Sequence, residues 1–374
     1  HGDHLECDEC GMCIDICPVG ALTSGTYRYK TRPWEMQHVG TICTHCSNGC
    51  KTTLGVRNNQ IVRANNRDRS GINGEFLCIK GRYAFDFNSH PDRLQSPLMR
   101  VGNQFEPISW AQALEIVSKK FQEVRERNGK FGIIGSNHTT NEENYYLQKF
   151  ARQGLGTNNI DHRRTGDVVS LIDALSGASG KLAQFSDLYS TKAALVISSD
   201  LSQQHPLLAF QLRANYRHHQ MKMYAVTPGP VREDKYAVRS IRVQPGGELE
   251  AVESLCEELK ANGELLVIFG DAIKGEAVRK LVSFGESLGI PVKYLALVDY
   301  SNSRGALDMG MVPELLPGYR PASENGLEPG LNMNEMLAAP DLDVLWVVGE
   351  NPLEKQAPAS DRTFIVVQDM FLTE

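Results

Sequence analysis

The chain has no run of 18 consecutive apolar residues, and no basic segment, apolar segment and cleavage site opens it. The expectation is therefore a protein without a membrane-spanning helix or export signal. It also lacks any excess of basic charge. Lys and Arg number 39 against 45 Asp and Glu, and the resulting −6 offers no electrostatic footprint for nucleic acid. Internal repeats and low-complexity tracts are missing, and the 41% apolar and 22% charged fractions exclude wholesale disorder and collagen-like chains. Cysteine is scarce as well: nine in 374 residues are too few for a scaffold stapled by disulfides.

What cysteine there is lies crowded. Eight of the nine precede residue 79, and the ninth, Cys256, sits alone in a helical pattern over residues 248–260, where it reads as a small core hydrophobe. Clustered cysteines without an export signal favour metal binding over disulfides. The chain opens on His1 with a short polar lead and stops soon after the strand-like run beginning at Phe364, which suggests a piece of a longer polypeptide.

The length predicts two to three domains, at roughly 150 residues each. Residues 1–36 hold the first cysteine group and a polar, aromatic connector; residues 37–100 hold the second group among Gly- and Asn-rich segments. Within the latter, Val56–Val62 alternates about Asn58-Asn59 and predicts a hairpin. From residue 101 to 374 the texture is α/β. Ser109 can cap a helix whose apolar positions Trp110, Ala113, Leu114, Val117, Phe121 and Val124 follow helical spacing, with Asn128-Gly129 as the stop. Buried-strand candidates begin at Phe131, Ala193, Met221, Leu265, Val292, Val344 and Phe364, with helical patterns such as 276–288 between several of them. Short apolar strands alternating with helices predict doubly wound, parallel-sheet layers.

The first cysteine group, Cys7-x2-Cys10-x2-Cys13-x3-Cys17-Pro18, has the spacing of the ligand run in bacterial two-cluster ferredoxins, in which the fourth cysteine serves the companion cluster. On that reading Cys7, Cys10 and Cys13 share one cluster, and Cys17 serves another whose remaining ligands are absent from this chain. A zinc knuckle, or one cluster held by all four, is the alternative. The second group is Cys43-x2-Cys46-x3-Cys50-x27-Cys78, a three-plus-one layout that suits one complete [4Fe-4S] site. A zinc ribbon would usually show two C-x2-C pairs instead. His45, between two of these cysteines, reads as solvated or as a neighbour of the site. Lys80 can set a cation beside an anionic cluster, or be an ordinary surface lysine.

The second run, with Gly74–Tyr83 and His90–Leu94, resembles the cluster-bearing domain of the molybdopterin oxidoreductase superfamily. Asp15–Leu22, Arg32–Glu35, Asn158–Asp167 and Val348–Pro352 extend the likeness over essentially the whole chain, toward the large iron–sulfur subunit of bacterial NADH:quinone oxidoreductase, complex I. The fold implied is iron–sulfur domains followed by α/β layers of the formate dehydrogenase type. The resemblance further implies that Cys43, Cys46, Cys50 and Cys78 ligate one [4Fe-4S] cluster and that Cys17 is the last ligand of an on-path cluster completed upstream. The Cys7, Cys10 and Cys13 triplet departs from many complex I subunits and resembles formate dehydrogenases and hydrogenases. It implies an extra cluster closed by a fourth cysteine upstream.

A working formate dehydrogenase would place Cys or selenocysteine, followed by His, where this chain has Arg163-Arg-Thr-Gly-Asp-Val168, so bound molybdopterin is not expected; Asp167 is the only nearby candidate ligand. The role implied is electron relay within a respiratory NADH dehydrogenase, from a flavin subunit toward quinone, with no catalytic residue in this chain. Its implied partners are peripheral-arm subunits, including the flavin-bearing and a ferredoxin-like one, at the cytoplasmic face of the bacterial inner membrane without insertion. The alternatives are a catalytic Mo/W-pterin enzyme and a zinc-dependent module.

Four further features have simpler readings. Gly132-Ile-Ile-Gly135 reads as a strand end and Pro245-Gly-Gly-Glu248 as a reversal entering a helix. Glu142-Glu143 suits a helix first turn, and His218-His219 reads as a solvated face.

Overall fold

In the computed structural model, residues 7–175, 178–352 and 360–372 are described; the lead from His1 and the final Thr373 and Glu374 lie outside them. The chain divides into two compact units, each assembled from separated segments: His1–Phe85 with Arg164–Ser301, and Asp86–Arg163 with Asn302–Glu374. This division does not coincide with the boundaries at residues 36 and 100 read from the sequence.

The first unit begins with the two cysteine loops. An antiparallel meander of Gln37–Ile42, Lys51–Arg57 and Gln60–Asn65 carries the second group. Asn58 and Asn59 both have left-handed φ, 49° and 59°, as a tight type I′ connection requires, so the hairpin forms where the Asn-Asn pair predicts it. The rest of the unit is a five-stranded, all-parallel sheet. Its order is Ala237–Arg242, Lys222–Thr227, Ala193–Ile197, Leu265–Phe269, Val292–Ala296.

Successive side chains of a strand face opposite sides, and here both sides are buried. Leu195, Ile197, Val267 and Phe269 pack against Val252, Leu255, Val278 and Leu281 of one helical layer. Ala194, Val196, Leu266 and Ile268 pack against Leu208 and Leu212 of the Pro206–His219 helix on the other. Two-sided burial explains why the inner strands Ala193–Ile197, Lys222–Thr227 and Leu265–Phe269 read as apolar runs, and it makes the sheet doubly wound, whereas the edge strand Ala237–Arg242 is largely exposed and carries no such run.

The second unit holds a four-stranded parallel sheet ordered Phe364–Gln368, Val344–Val348, Phe131–Ile134, Ile160–Asp161. The Trp110–Glu126 helix is capped by Ser109, whose side chain accepts from Gln112 N while Gln112 reaches back, a reciprocal capping box. Phe121 and Val124 are buried as the helical spacing predicts, but Trp110 and Leu114 are 69% and 65% exposed, so the apolar stripe turns away from the core at its first turns. Thr140 and Glu143 form the same box on Asn141–Lys149, and Glu142 and Glu143 occupy that helix's first turn. In the first unit the pattern over residues 248–260 is two helices, Glu248–Glu253 and Cys256–Lys260, interrupted at Ser254-Leu255; Cys256 packs half-buried on the sheet core. Among the described residues no helix is long and apolar enough to cross a membrane.

Candidate iron–sulfur site

The second cysteine group converges. Cys43 directly follows the first meander strand, Cys46 and Cys50 lie in the same loop, and Cys43 N donates to Cys50 O at 2.8 Å, closing that loop. Cys78 arrives from a distant segment as the N-cap of the Ile79–Tyr83 helix, its sulfur accepting from Gly81 N at 3.5 Å.

Asn73 spans the long gap between the two parts. Its Oδ1 accepts from Lys51 N at 2.8 Å, and its Nδ2 donates to Lys51 O at 3.0 Å and Phe76 O at 2.8 Å. This buried amide staples the Cys78 segment to the residue after Cys50, and nothing in the spacing pattern marks it. One Asn among several in a Gly-rich stretch carries no distinguishing signal.

Apolar side chains wall the thiols. Cys43 and Cys50, each 8% exposed, cluster with Phe76, Leu77 and Leu207; Phe185 and Phe210 pack around them, and the Phe76 and Phe210 rings stack at 4.5 Å. Leu207 and Phe210 come from the helix that follows the central sheet strand, and Ser47 Oγ donates to Val298 O beyond the edge strand. The carboxyl-end loops of the sheet thus hold the cysteine domain.

Burial pushes the Cys43 thiol up to about 11, opposed by the His45 amide and reinforced by Cys46 and Cys78. It raises Cys50 further, with Cys46, Cys43 and Cys78 adding to the effect. Burial also raises Cys46, against the Asn48 amide and the Lys80 charge, with Cys78 and Asp299 acting in the same direction as burial. All four thiols are therefore electrostatic neighbours. At neutral pH the three raised thiols stay protonated unless a cation takes the proton's place, which is the behaviour of soft metal ligands. Four soft donors with backbone amides at their sulfurs, inside an apolar wall, fit an iron–sulfur cluster.

The first group is more open. Cys7 and Cys13 are exposed, Cys10 and Cys17 half-buried, and none of the nine cysteines forms a disulfide. Cys10 and Cys13 lie near Tyr83, and Cys10 packs on the same apolar cluster as the second group. Cys17 has a different setting: the amides of Leu22, Val19, Ala21 and Gly20 surround its sulfur and hold its thiol below the ordinary range. Asp8, between Cys7 and Cys10, is tied to Arg213 and Arg232 of the sheet domain.

Lys80 is exposed on the Cys78 helix, within electrostatic reach of Cys46, and His45 is half-buried. Asp167 caps the Val168–Ala174 helix, Oδ1 accepting from Ser170 N at 2.9 Å while Oδ2 accepts from Gly275 N at 2.7 Å, so both carboxylate oxygens are occupied by backbone. Arg163 pairs with Glu350 at 2.9 Å. Gly132 and Gly135 lie in and just after a buried strand. Gly246 turns at φ 93° and its amide donates to Glu248 at 2.8 Å, a reversal into a helix. His218 and His219 are exposed at a helix end. His205 escaped sequence reasoning: it is 1% exposed, with Nε2 3.6 Å from Asp299, and a lone His-Pro gave no sign of it.

Comparison with known proteins matches three family models to the chain: 4Fe-4S binding domain over residues 3–23, molybdopterin oxidoreductase Fe4S4 domain over 36–90, and molybdopterin oxidoreductase over 93–374. The chain is 29% identical to an NADH-quinone oxidoreductase subunit of Rhizobium meliloti, covering 100% of this chain and 52% of that protein. It is 26% identical to the alpha subunit of F420-dependent formate dehydrogenase 1 of Methanococcus maripaludis, covering 91% and 62%. Among solved structures, acetylene hydratase from Pelobacter acetylenicus is similar at 16% identity and a TM-score of 0.46, covering 74% of this chain and 40% of that one. The chain thus spans about half the length of the first of these relatives. With iron–sulfur domains followed by parallel α/β layers, and one family model extending over residues 93–374, the chain belongs to the molybdopterin oxidoreductase family.

Proposed function

We propose that this oxidoreductase-family chain is an electron-relay subunit of a respiratory NADH:quinone oxidoreductase. Cys43, Cys46, Cys50 and Cys78 would hold one [4Fe-4S] cluster, and Cys7, Cys10, Cys13 and Cys17 would contribute to one or two more, completed by cysteines upstream. Such a cluster, when bound, accepts and releases single electrons. The chain's own residues bury the sulfurs, offer them amide hydrogens and set Lys80 near Cys46, each of which tunes how readily an electron is held. The observation that supports the reading is that thiols from two distant segments are electrostatic neighbours, with Cys43, Cys50 and Cys78 packed in one apolar cluster and Cys46 beside them.

The domain plan proposed is a ferredoxin-like segment over 1–36, a cluster domain over 37–100 and a molybdopterin oxidoreductase-like region over 101–374. Flavin-bearing and ferredoxin-like subunits are the proposed partners, at the cytoplasmic face of the inner membrane. No catalytic residue is assigned. Asp167, committed to two backbone amides, is a poor molybdenum ligand, and the rival reading as a Mo/W-pterin formate dehydrogenase is tested by elemental and pterin analysis of anaerobically purified protein. Iron and acid-labile sulfide without stoichiometric Mo, W or pterin supports the relay; stoichiometric Mo or W with pterin and formate-dependent bleaching overturns it.

A further inference from the structure

Arg82 lies in the Ile79–Tyr83 helix that Cys78 begins, and it is buried to 4% exposure. Its backbone N donates to Cys78 O at 3.0 Å. The guanidinium points the other way, into the first cysteine loop: Nε donates to Cys10 O at 2.5 Å, Nη2 contacts Met12 Sδ at 3.2 Å and Nη1 pairs with Asp15. Asp15 in turn accepts from Arg63 Nη2 at 2.6 Å, so the carboxylate joins the loop to the meander as well. Gly11, at φ 72°, brings its backbone so near this helix that a Cβ there would overlap the Tyr83 hydroxyl and the Arg82 Cδ.

A buried arginine is a poor device for stability alone, since an apolar residue of similar volume would avoid its desolvation cost. What its planar fork offers is fixed geometry at several acceptors at once. Resting on the cluster reading above, we infer that Arg82 is the positioning residue that sets the separation between the two cysteine sites. It locks the Cys10–Asp15 loop to the helix of Cys78 and supplies a short hydrogen-bonded route from Cys78 O to Cys10 O. Lysine, with one compact donor head, cannot reproduce the fork.

The test compares R82Q and R82K with the parent chain in two measurements. Hydrogen exchange on the iron-free chain is expected to quicken at least tenfold for amides of residues 10–16 in R82Q, with amides of residues 51–57 unchanged and R82K recovering only part of the protection. Equal exchange in the loop overturns the proposal, and so does uniform acceleration of both segments, which would make Arg82 a general stabiliser. In the natively loaded protein, R82Q is expected to lose the magnetic interaction between the two reduced clusters at unchanged iron content; an unaltered interaction overturns the proposal. If R82Q loses iron, the exchange measurement decides. Because that arm contains no iron, its outcome is separable from failure of the relay reading, which shows as a parent chain that takes up no cluster.

Discussion

Removing iron should make the protein unstable in alkali in a way the loaded protein is not. Cys43 is 8% exposed, and burial moves its thiol from 9.0 to about 11. A thiol raised in the folded state binds its proton more tightly there than in the unfolded chain. Its contribution is therefore complete below the unfolded value, near pH 9, and is lost as pH climbs toward the folded one. A two-unit shift is worth about 2.7 kcal/mol at most, and about 1.4 kcal/mol of it is gone by pH 10. For a unit of this size that is a fall in Tm of about 3–6 °C from Cys43 alone. Cys46 and Cys50, raised for the same reason, deepen it. Burial raises the hydroxyls of Tyr83, Tyr236, Tyr294 and Tyr319 in the same sense, and ordinary tyrosine is half-ionised near pH 10, so the difference between parent and C43S, in which the tyrosines cancel, isolates the Cys43 thiol. The assay is calorimetry of iron-free protein under reducing conditions from pH 7.5 to 10, beside the C43S variant and the loaded protein. An iron-free Tm that stays flat across that range, or a C43S variant that falls as the parent does, would refute the link between thiol burial and alkaline instability.

Asn73→Ala removes three hydrogen bonds and leaves buried backbone groups unpaired; a loss of about 2–4 kcal/mol in urea unfolding is expected, together with faster release of iron to a chelator. Leu77, 1% exposed in the wall around Cys43 and Cys50, should cost about 2–5 kcal/mol as Leu77→Ala, measured by the same unfolding curve. Burial opposes ionisation of Asp187, but Lys293 at 2.6 Å and the Gln184 amide outweigh it and hold the carboxyl below its usual range. That contribution is present above about pH 3.9 and disappears as pH falls through the depressed folded value, so Asp187→Asn should flatten the acid limb of a stability profile and leave stability near neutrality lowered.

Local chemistry was legible in the sequence, and long-range pairing was not. The Asn58-Asn59 hairpin, the cap at Ser109 and the acidic first turn at Glu142-Glu143 are decided within a few residues, and the structure has each where its residue types put it; the Thr140 cap was not singled out. Two-sided burial likewise marked the inner parallel strands as apolar runs, but Phe364–Gln368, read as a buried strand, is an edge strand with Ile365 and Val367 exposed. The three-plus-one spacing requires Cys78 to return from a distant segment, and in the structure it lies within electrostatic reach of Cys43, Cys46 and Cys50. The Asn73 staple and the Arg82 fork left no trace, since an amide or guanidinium reveals its partner only when a distant backbone arrives. Periodicity also misled at Trp110 and Leu114, where the stripe continues past the surface that covers it, and over residues 248–260, where a break at Ser254-Leu255 keeps the apolar phase. The joining of Arg164–Ser301 with the cysteine domain in one unit is a tertiary fact that no local pattern encodes.

Binding of one iron–sulfur cluster by Cys43, Cys46, Cys50 and Cys78 is the claim on which the relay role depends. Iron and acid-labile sulfide should be counted per chain in anaerobically purified parent protein and in C78A. C78A is expected to fall short of the parent by the four irons and four sulfides of one cubane, with the Cys7–Cys17 complement unchanged. An iron-free, colourless parent, or a C78A chain with the parent's full iron and sulfide, would contradict it.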